Sequence, residues 1–162
     1  MSIKQQLVRI LLRGMKEVYM DRIISDKLYL SLLYRRVLDK KMHWDNPCTF
    51  NEKLQWLKIY NRRNEYTQMV DKIAVKKIVA EKLGEKYIIP TLGVWDDFDD
   101  IDFSILPDRF VLKCNHDSGS ICICKNKNTF DIAEARKKMR KGLKQNLYWA
   151  GREWPYKDVK PR

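Results

Sequence analysis

The fold is decided by the stretch Arg109-Phe110-Val111-Leu112-Lys113-Cys114-Asn115, followed by His116-Asp117-Ser118-Gly119-Ser120 and Ile121-Cys122-Ile123-Cys124. In its first part, alternation places Phe110, Leu112 and Cys114 on one face of a strand. The polar loop and the second apolar run then predict a hairpin. From Asp131 to Leu147, apolar residues recur at helical spacing and predict a long basic helix. A strand–glycine loop–strand–helix unit is therefore expected.

The chain before this unit is predicted to be mainly helical. Lys27–Leu38 has helical periodicity, with Asp26 as its expected N-cap. Thr49 and Glu52 have the spacing of a capping box, which predicts a helix running to about Asn61. A further helix is expected from near Thr67 to Gly84, which fits a left-handed stop.

Two short strands are predicted between these helices and the hairpin, at Tyr87–Pro90 and Leu92–Trp95. The order is then helices first, followed by a small mixed or antiparallel sheet. This order predicts an α+β fold.

Composition narrows the possible functions. The chain of 162 residues carries 33 Lys and Arg against 21 Asp and Glu, a formal charge of +12, so an anionic partner is expected. Its hydrophobic content of 44% is enough for a core, which excludes disorder throughout. No apolar run approaches the ~18 residues of a membrane span. Four cysteines without a signal peptide favour reduced thiols over a disulfide scaffold.

Residues 1–43 are predicted to form a basic helical leader before a domain at 44–162. In residues 1–24, apolar positions such as Ile3, Leu7, Ile10 and Val18 recur at helical spacing among basic residues. Two interpretations fit this amphipathic pattern: a helix lying on an anionic membrane, or a helix packed on its own domain. We favour the second.

Two segments contain residue types that bind metals. The acidic run Asp96–Asp102 suggests a Ca²⁺ or Mg²⁺ loop, but it lacks the glycine and glutamate spacing of an EF-hand. We expect a solvated connection with a short helical turn there. Cys114, His116, Cys122 and Cys124 offer Zn²⁺ ligand types, but their C-x-H and C-x-C spacing is unusual for zinc, which favours buried thiols.

The hairpin is also a candidate phosphate site. Lys113 ends a strand beside a small-residue loop, where an ammonium group and backbone N–H groups can hold a polyphosphate. Gly119 has no Cβ to obstruct the approach of a ligand to the backbone. The alternative is a surface lysine beside an ordinary turn.

Several longer motifs resemble the TupA-like ATP-grasp family, bacterial proteins associated with capsule and other surface-polysaccharide genes and often labelled glycosyltransferases. The matching segments are Thr49–Lys58, Leu92–Asp96, Phe110–Gly119 and Gly151–Tyr156. The resemblance covers about residues 44–162 and implies that this region is similar to the N-terminal part of an ATP-grasp fold.

The resemblance also implies a site. It assigns nucleotide binding to Lys72, which follows Asp71 at the head of a helix, and to Lys113, with Ser118, Gly119 and Ser120 as a flexible lid. It implies ATP and Mg²⁺ as cofactors, but no Mg²⁺ ligand can be named in this chain, and the catalytic residues are unknown. We expect the C-terminal lobe with the metal ligands to be missing and the chain to be inactive alone.

Three functions remain open. The family implies ATP-dependent ligation of a carboxylate to an amine in polysaccharide biosynthesis; the alternatives are sugar transfer and a non-catalytic basic binding module. We expect a nucleotide and a polysaccharide-pathway substrate as partners and no specific nucleic acid. The expected location is the cytoplasm, and peripheral association with the inner face of the membrane is a second option.

Overall fold

The computed structural model describes residues 3–17 and 22–162. Two compact units are formed. The first contains the chain up to Arg63 together with Tyr148–Trp154, and the second contains Asn64–Leu147 with Pro155–Arg162. The predicted division into a leader at 1–43 and a domain at 44–162 stays a prediction.

The first unit is helical. It contains α1 (Ile3–Glu17), α2 (Asp26–Leu38), α3 (Phe50–Tyr60) and most of α7 (Leu147–Gly151). Helix α1 packs against α2, and α2 packs against α3. No helix in the described ranges combines the length and apolarity that crossing a bilayer requires. Val18, which belongs to the predicted apolar stripe of the leader, lies outside the described residues.

The starts of α2 and α3 show how local sequence sets helix boundaries. Ser25, not the predicted Asp26, caps α2: its hydroxyl group accepts a hydrogen bond from the Leu28 amide at 3.3 Å. At α3 the predicted capping box is confirmed. The Thr49 hydroxyl accepts from the Glu52 amide at 3.3 Å, and the Glu52 carboxylate accepts from the Thr49 amide at 2.9 Å.

A buried arginine ties the later segment of this unit to α2. Arg152 is fully buried at a positive φ of 52°, and its Nε lies 3.0 Å from an oxygen of Asp26. Its guanidinium group lies over the rings of Tyr29, Tyr148 and Trp149 at 4.3, 5.3 and 4.7 Å. Because a guanidinium group is attracted to aromatic faces, this cage stabilises a charge held away from water.

The second unit begins with two helices where one was predicted. α4 (Glu65–Val70) and α5 (Ala74–Leu83) are separated at residues 71–73. The Asp71 carboxylate accepts from the Ile73 amide at 2.8 Å, a local bond that competes with a continuous helix. Gly84 ends α5 where the stop was predicted, with a positive φ of 101°, but its ψ of 152° lies outside the left-handed helical conformation that was expected.

The two short strands predicted before the hairpin are wrong. Glu85–Tyr87 forms a single 3₁₀ turn, and residues 88–95 pair with no strand among the described residues. Lys76 holds this segment instead: its ammonium group donates to the carbonyl oxygen of Ile89 at 2.7 Å and to the hydroxyl of Thr91 at 2.6 Å.

The predicted hairpin is confirmed. β1 (Phe110–Lys113) and β2 (Ile121–Cys124) pair antiparallel, with Phe110 opposite Cys124 and Lys113 opposite Ile121. The basic helix that follows, α6 (Ile132–Leu143), packs against β2 and is capped by Asp131, whose carboxylate accepts from the Glu134 amide at 2.9 Å. The chain is therefore α+β, as the order of elements predicted.

One apolar core fills the second unit. It is formed by one face of the hairpin, the inner face of α6 and residues from the acidic connection; its buried members are Phe98, Leu106, Phe110, Leu112, Cys114, Cys124, Ala135 and Met139. The predicted helical turn in the acidic run is confirmed at Phe98–Asp100. Phe98 explains this turn, because it inserts its ring into the core while the neighbouring carboxylates stay at the surface.

Candidate functional site

Lys113 ends β1 on the exposed face of the hairpin. Its neighbours Leu112 and Cys114 point into the core, so strand alternation turns the lysine side chain outward. Its ammonium group has no hydrogen-bond or ion-pair partner within residues 3–17 and 22–162. Lys113 therefore presents a positive charge that no described residue neutralises.

The loop after β1 is closed by its own side chains. The Asp117 carboxylate accepts from the Ser120 amide at 3.3 Å and makes a short hydrogen bond to the Ser120 hydroxyl. The Ser120 carbonyl oxygen accepts from the Cys114 amide at 3.1 Å. Ser118 and Gly119 are left exposed at the tip, and a Cβ at Gly119 would meet no atom within 4 Å. The tip is consequently open to a ligand.

Asp71 and Lys72 join the head of α5 to this loop. The Lys72 ammonium group donates to the carbonyl oxygens of Cys114 and Asn115, at 3.0 and 3.2 Å, and to that of Asp117. The Asp71 carboxylate accepts from the Asn115 side-chain amide at 3.1 Å as well as from the start of α5. Lys72 thus holds the backbone behind the loop, and its charge is balanced by carbonyl dipoles.

Asn115 connects this assembly to the last described residues. Its side chain donates to the Lys160 carbonyl oxygen at 2.9 Å and accepts from the Arg162 amide at 2.8 Å. Its own backbone amide donates to the Arg162 carbonyl oxygen at 3.2 Å. The buried Asn115 is therefore a structural node.

His116 is buried beside Asn115 and faces α6. Its Nε2 lies 3.2 Å from the Gly142 carbonyl oxygen and 2.9 Å from that of Gln145. Because both neighbours are acceptors, Nε2 carries a hydrogen. His116 positions the loop against the end of α6.

A cavity of about 450 Å³ opens beside β1 and the start of α5, and residues 116–120 of the loop are not among those that line it. Lys72, Lys113 and Asn115 line its polar side, and apolar residues that include Leu92 and Trp95 line much of the rest. A mainly apolar concavity with a few convergent polar groups is the usual composition of a small-molecule site. The loop, both predicted lysines and this cavity all belong to the second unit.

Comparison with protein families gives a match over most of the chain. The model of the TupA-like ATP-grasp family matches residues 52–162. This chain belongs to that family. The match covers more than two thirds of the chain and includes both predicted lysines and the glycine loop. No curated protein and no solved structure matches the chain.

ATP-grasp proteins generally use ATP with Mg²⁺, and the acidic run is the obvious place to seek a metal ligand. Three of its carboxylates, those of Asp96, Asp97 and Asp99, are already paired with basic side chains. Asp96 pairs with Lys160 at 2.7 Å, and Asp97 pairs with Arg140 at 2.9 Å. The hydrogen bond from Lys160 lowers the pKa of Asp96. The pKa of Asp97 is lowered mainly by the hydrogen bond from the Asp99 amide and also by the one from Arg140. Among the described residues no group of three or more potential ligands is placed to hold a metal ion, so no Mg²⁺ ligand is assigned.

The zinc alternative for the hairpin finds no support in the described part of this ATP-grasp chain. Cys114 and Cys124 are buried, with their thiols directed at the carbonyl oxygens of Met139 and Asp108 at 3.8 and 3.6 Å. Burial raises the pKa of the Cys114 thiol to about 11, so this thiol is protonated at neutral pH. The thiols act as small core groups, as their spacing indicated.

Two features of the candidate site were not predicted from the sequence. The motif presents Asp71 only as the neighbour of Lys72, but the bond from Asn115 to Asp71 links elements that are 44 residues apart. Gly142 packs so closely on the loop that an added Cβ would lie 2.1 Å from the Ser120 hydroxyl oxygen. A glycine inside a helical pattern was the signal available for the second feature.

Proposed function

We propose that this ATP-grasp chain binds the phosphates of ATP between Lys113 and the tip of the Ser118–Ser120 loop. The observation that carries the proposal is the Lys113 ammonium group, which lines the cavity without a described partner. A lysine on the strand that leads into the loop supplies charge to a phosphate, and the backbone N–H groups of an exposed loop tip supply directional donors. Family membership makes ATP the nucleotide of choice.

The other predicted residues take different parts in this proposal. Gly119 and Ser118 provide the approachable tip of the lid. Ser120 keeps its hydroxyl on Asp117 and sets the shape of the loop. Lys72 contributes by holding three backbone carbonyls behind the loop. Neutralising these dipoles with a cation favours a nearby anion, so Lys72 supports phosphate binding through charge and position.

The reaction we propose is ATP-dependent ligation of a carboxylate to an amine during surface-polysaccharide biosynthesis. A substrate carboxylate oxygen attacks the γ-phosphorus and releases ADP; an amine nitrogen then attacks the acyl carbon and releases inorganic phosphate. Lys113 lowers the barrier of the first step by offsetting negative charge on the phosphates. Sugar transfer is less well supported, because Asp97 and Asp99, two of the carboxylates it would use, are ion-paired to Arg140.

The test is nucleotide titration of Lys113→Ala. Losing one charge-assisted phosphate contact of about 1.5–3 kcal/mol should weaken ATP binding roughly 10- to 100-fold in calorimetric titration. Lys125→Ala is the matched control, since Lys125 is an exposed lysine at the opposite end of the same hairpin and outside the cavity. It should bind ATP like the unmodified chain.

Three results count against the proposal. Equal losses in Lys113→Ala and Lys125→Ala would indicate non-specific attraction of a polyanion to a basic surface, which a steep salt dependence would also reveal. Tighter binding of a nucleotide sugar than of ATP would favour the transferase alternative. No saturable ATP binding by the unmodified chain would remove the basis of the assignment.

A further inference from the structure

Helix α1 has two apolar faces, and only one of them is covered. Leu12 and Met15 are buried within the first unit, where α1 packs against α2. Ile3, Leu7 and Ile10 remain 77%, 62% and 68% exposed. Their exposure means that packing on the chain's own unit accounts for only part of the amphipathic pattern.

The exposed residues form a continuous stripe. Positions 3, 7, 10, 11 and 14 share one side of a helix with 3.6 residues per turn, whereas position 12 faces away from them and position 15, one turn after Leu11, lies at the border of the buried side. Leu11 extends the stripe and is 50% exposed. Gly14 completes it, and nothing lies within 4 Å of a Cβ built there. The stripe is therefore flat at that end and unobstructed by described residues.

Basic side chains border this stripe on both sides. Lys4 lies along one edge and Arg13 along the other, and both are exposed. The sequence has no acidic residue from Ile3 to Lys16. Long basic side chains can keep their charges among lipid headgroups while their methylene stems cover apolar surface. An apolar stripe edged by cations complements an anionic lipid surface in both hydrophobicity and charge.

We propose that the exposed face of α1 docks the chain on an anionic lipid bilayer. With 15 residues at 1.5 Å each, α1 is about 22 Å long, so it suits a position in the plane of the interface and not a transmembrane one. Ile3, Leu7, Ile10 and Leu11 enter the acyl boundary, and Leu12 and Met15 keep the helix attached to its unit. This docking surface lies apart from the nucleotide cavity and does not depend on it.

Vesicle sedimentation tests the proposal. The full chain is mixed with vesicles of phosphatidylglycerol and phosphatidylcholine, or of phosphatidylcholine alone. The test variant replaces Ile3, Leu7 and Ile10 by Gln; the control replaces three comparably exposed aliphatic residues of the second unit, Leu83, Ile105 and Ile123, by Gln. Because burying one such side chain is worth on the order of tenfold in partitioning, the test variant should bind anionic vesicles at least about 100-fold more weakly than the control.

Circular dichroism first establishes that both variants keep the helical content of the unmodified chain, as expected for changes at exposed positions. Binding to anionic vesicles that is lost in the test variant and retained in the control supports the proposal. Equal binding by the two variants, equal binding to both vesicle types, or no binding by the unmodified chain overturns it. A dimer that the test variant abolishes, seen by light scattering without lipid, also overturns it, because the stripe would then serve self-association. ATP titration of the test variant should be unchanged.

Discussion

Replacing Gly142 by Ala should destabilise the second unit. Gly142 lies near the end of α6, and its added Cβ would lie 2.1 Å from the Ser120 Oγ, 2.6 Å from the Ser120 Cβ and 3.0 Å from the Cys114 Sγ. The Ser120 hydroxyl cannot simply rotate away, because it is bound to Asp117. Either α6 or the glycine loop must move.

The magnitude follows from two opposing terms. Overpacking of this kind costs about 2–3 kcal/mol, and Ala gains about 1 kcal/mol over Gly in helix propensity. The net loss is about 1–2 kcal/mol, which corresponds to a melting temperature lower by roughly 4–16 °C for a unit of this size. Thermal and urea denaturation followed by circular dichroism measure it.

A matched substitution isolates the close contact. Gly14→Ala makes the same change in α1, where nothing lies within 4 Å of the new Cβ, so it should stabilise by about 0.5–1 kcal/mol. Combining Gly142→Ala with Ser120→Gly should recover part of the loss, with a coupling energy of about 1 kcal/mol. A Gly142→Ala chain that is as stable as the unmodified protein would refute the argument from packing.

Two further predictions concern the first unit. The hydrogen bond from the Thr49 backbone, together with those from the His43 and Thr49 side chains, lowers the pKa of the Glu52 carboxyl from 4.5 to about 2. The contribution of Glu52 to stability is therefore present above pH 4.5 and is lost as the pH falls toward 2. In urea denaturation, the free energy of unfolding should decrease less between pH 6 and pH 3 for Glu52→Gln than for the unmodified chain. Arg152→Ala should lower the free energy of unfolding by about 3 kcal/mol or more, because it empties a buried aromatic cage and removes a partner of Asp26. Arg62→Ala, which removes a partly exposed partner of the Asp26 carboxylate, should lower the free energy of unfolding by less than about 1 kcal/mol. Equal losses of stability in Arg152→Ala and Arg62→Ala would contradict the role given to burial of Arg152.

Sequence reasoning succeeded where the controlling interactions are local. The capping box at Thr49, the stop at Gly84 and the alternation in β1 depend on residues within one or two turns of each other, and all three are present. It failed at residues 87–95, since β-branched and aromatic residues favour a strand only if another strand is available to pair with. Lys76, a residue of α5, supplies the bonds that a neighbouring strand would have made.

The site divides in the same way. The residue types of the candidate site were predictable from sequence motifs, because Lys113 ends a strand and Ser118 and Gly119 follow in an open loop. The sequence does not show whether a lysine ammonium group already has a hydrogen-bond partner, because that depends on the groups that folding brings near it. Lys72 donates to carbonyl oxygens more than 40 residues away, whereas Lys113 has no partner among the residues that the structure describes.

The amino-acid sequence by itself determined the family, the α+β class, the hairpin and the candidate loop, because periodicity, capping and contiguous motifs are properties of short segments. The tertiary structure alone decided that Lys72 holds the loop while Lys113 faces the cavity, that Gly142 must lack a side chain, and that α1 keeps an uncovered apolar stripe. Each of these depends on burial and on distances between segments remote in the chain, and no local pattern encodes which remote groups share a space.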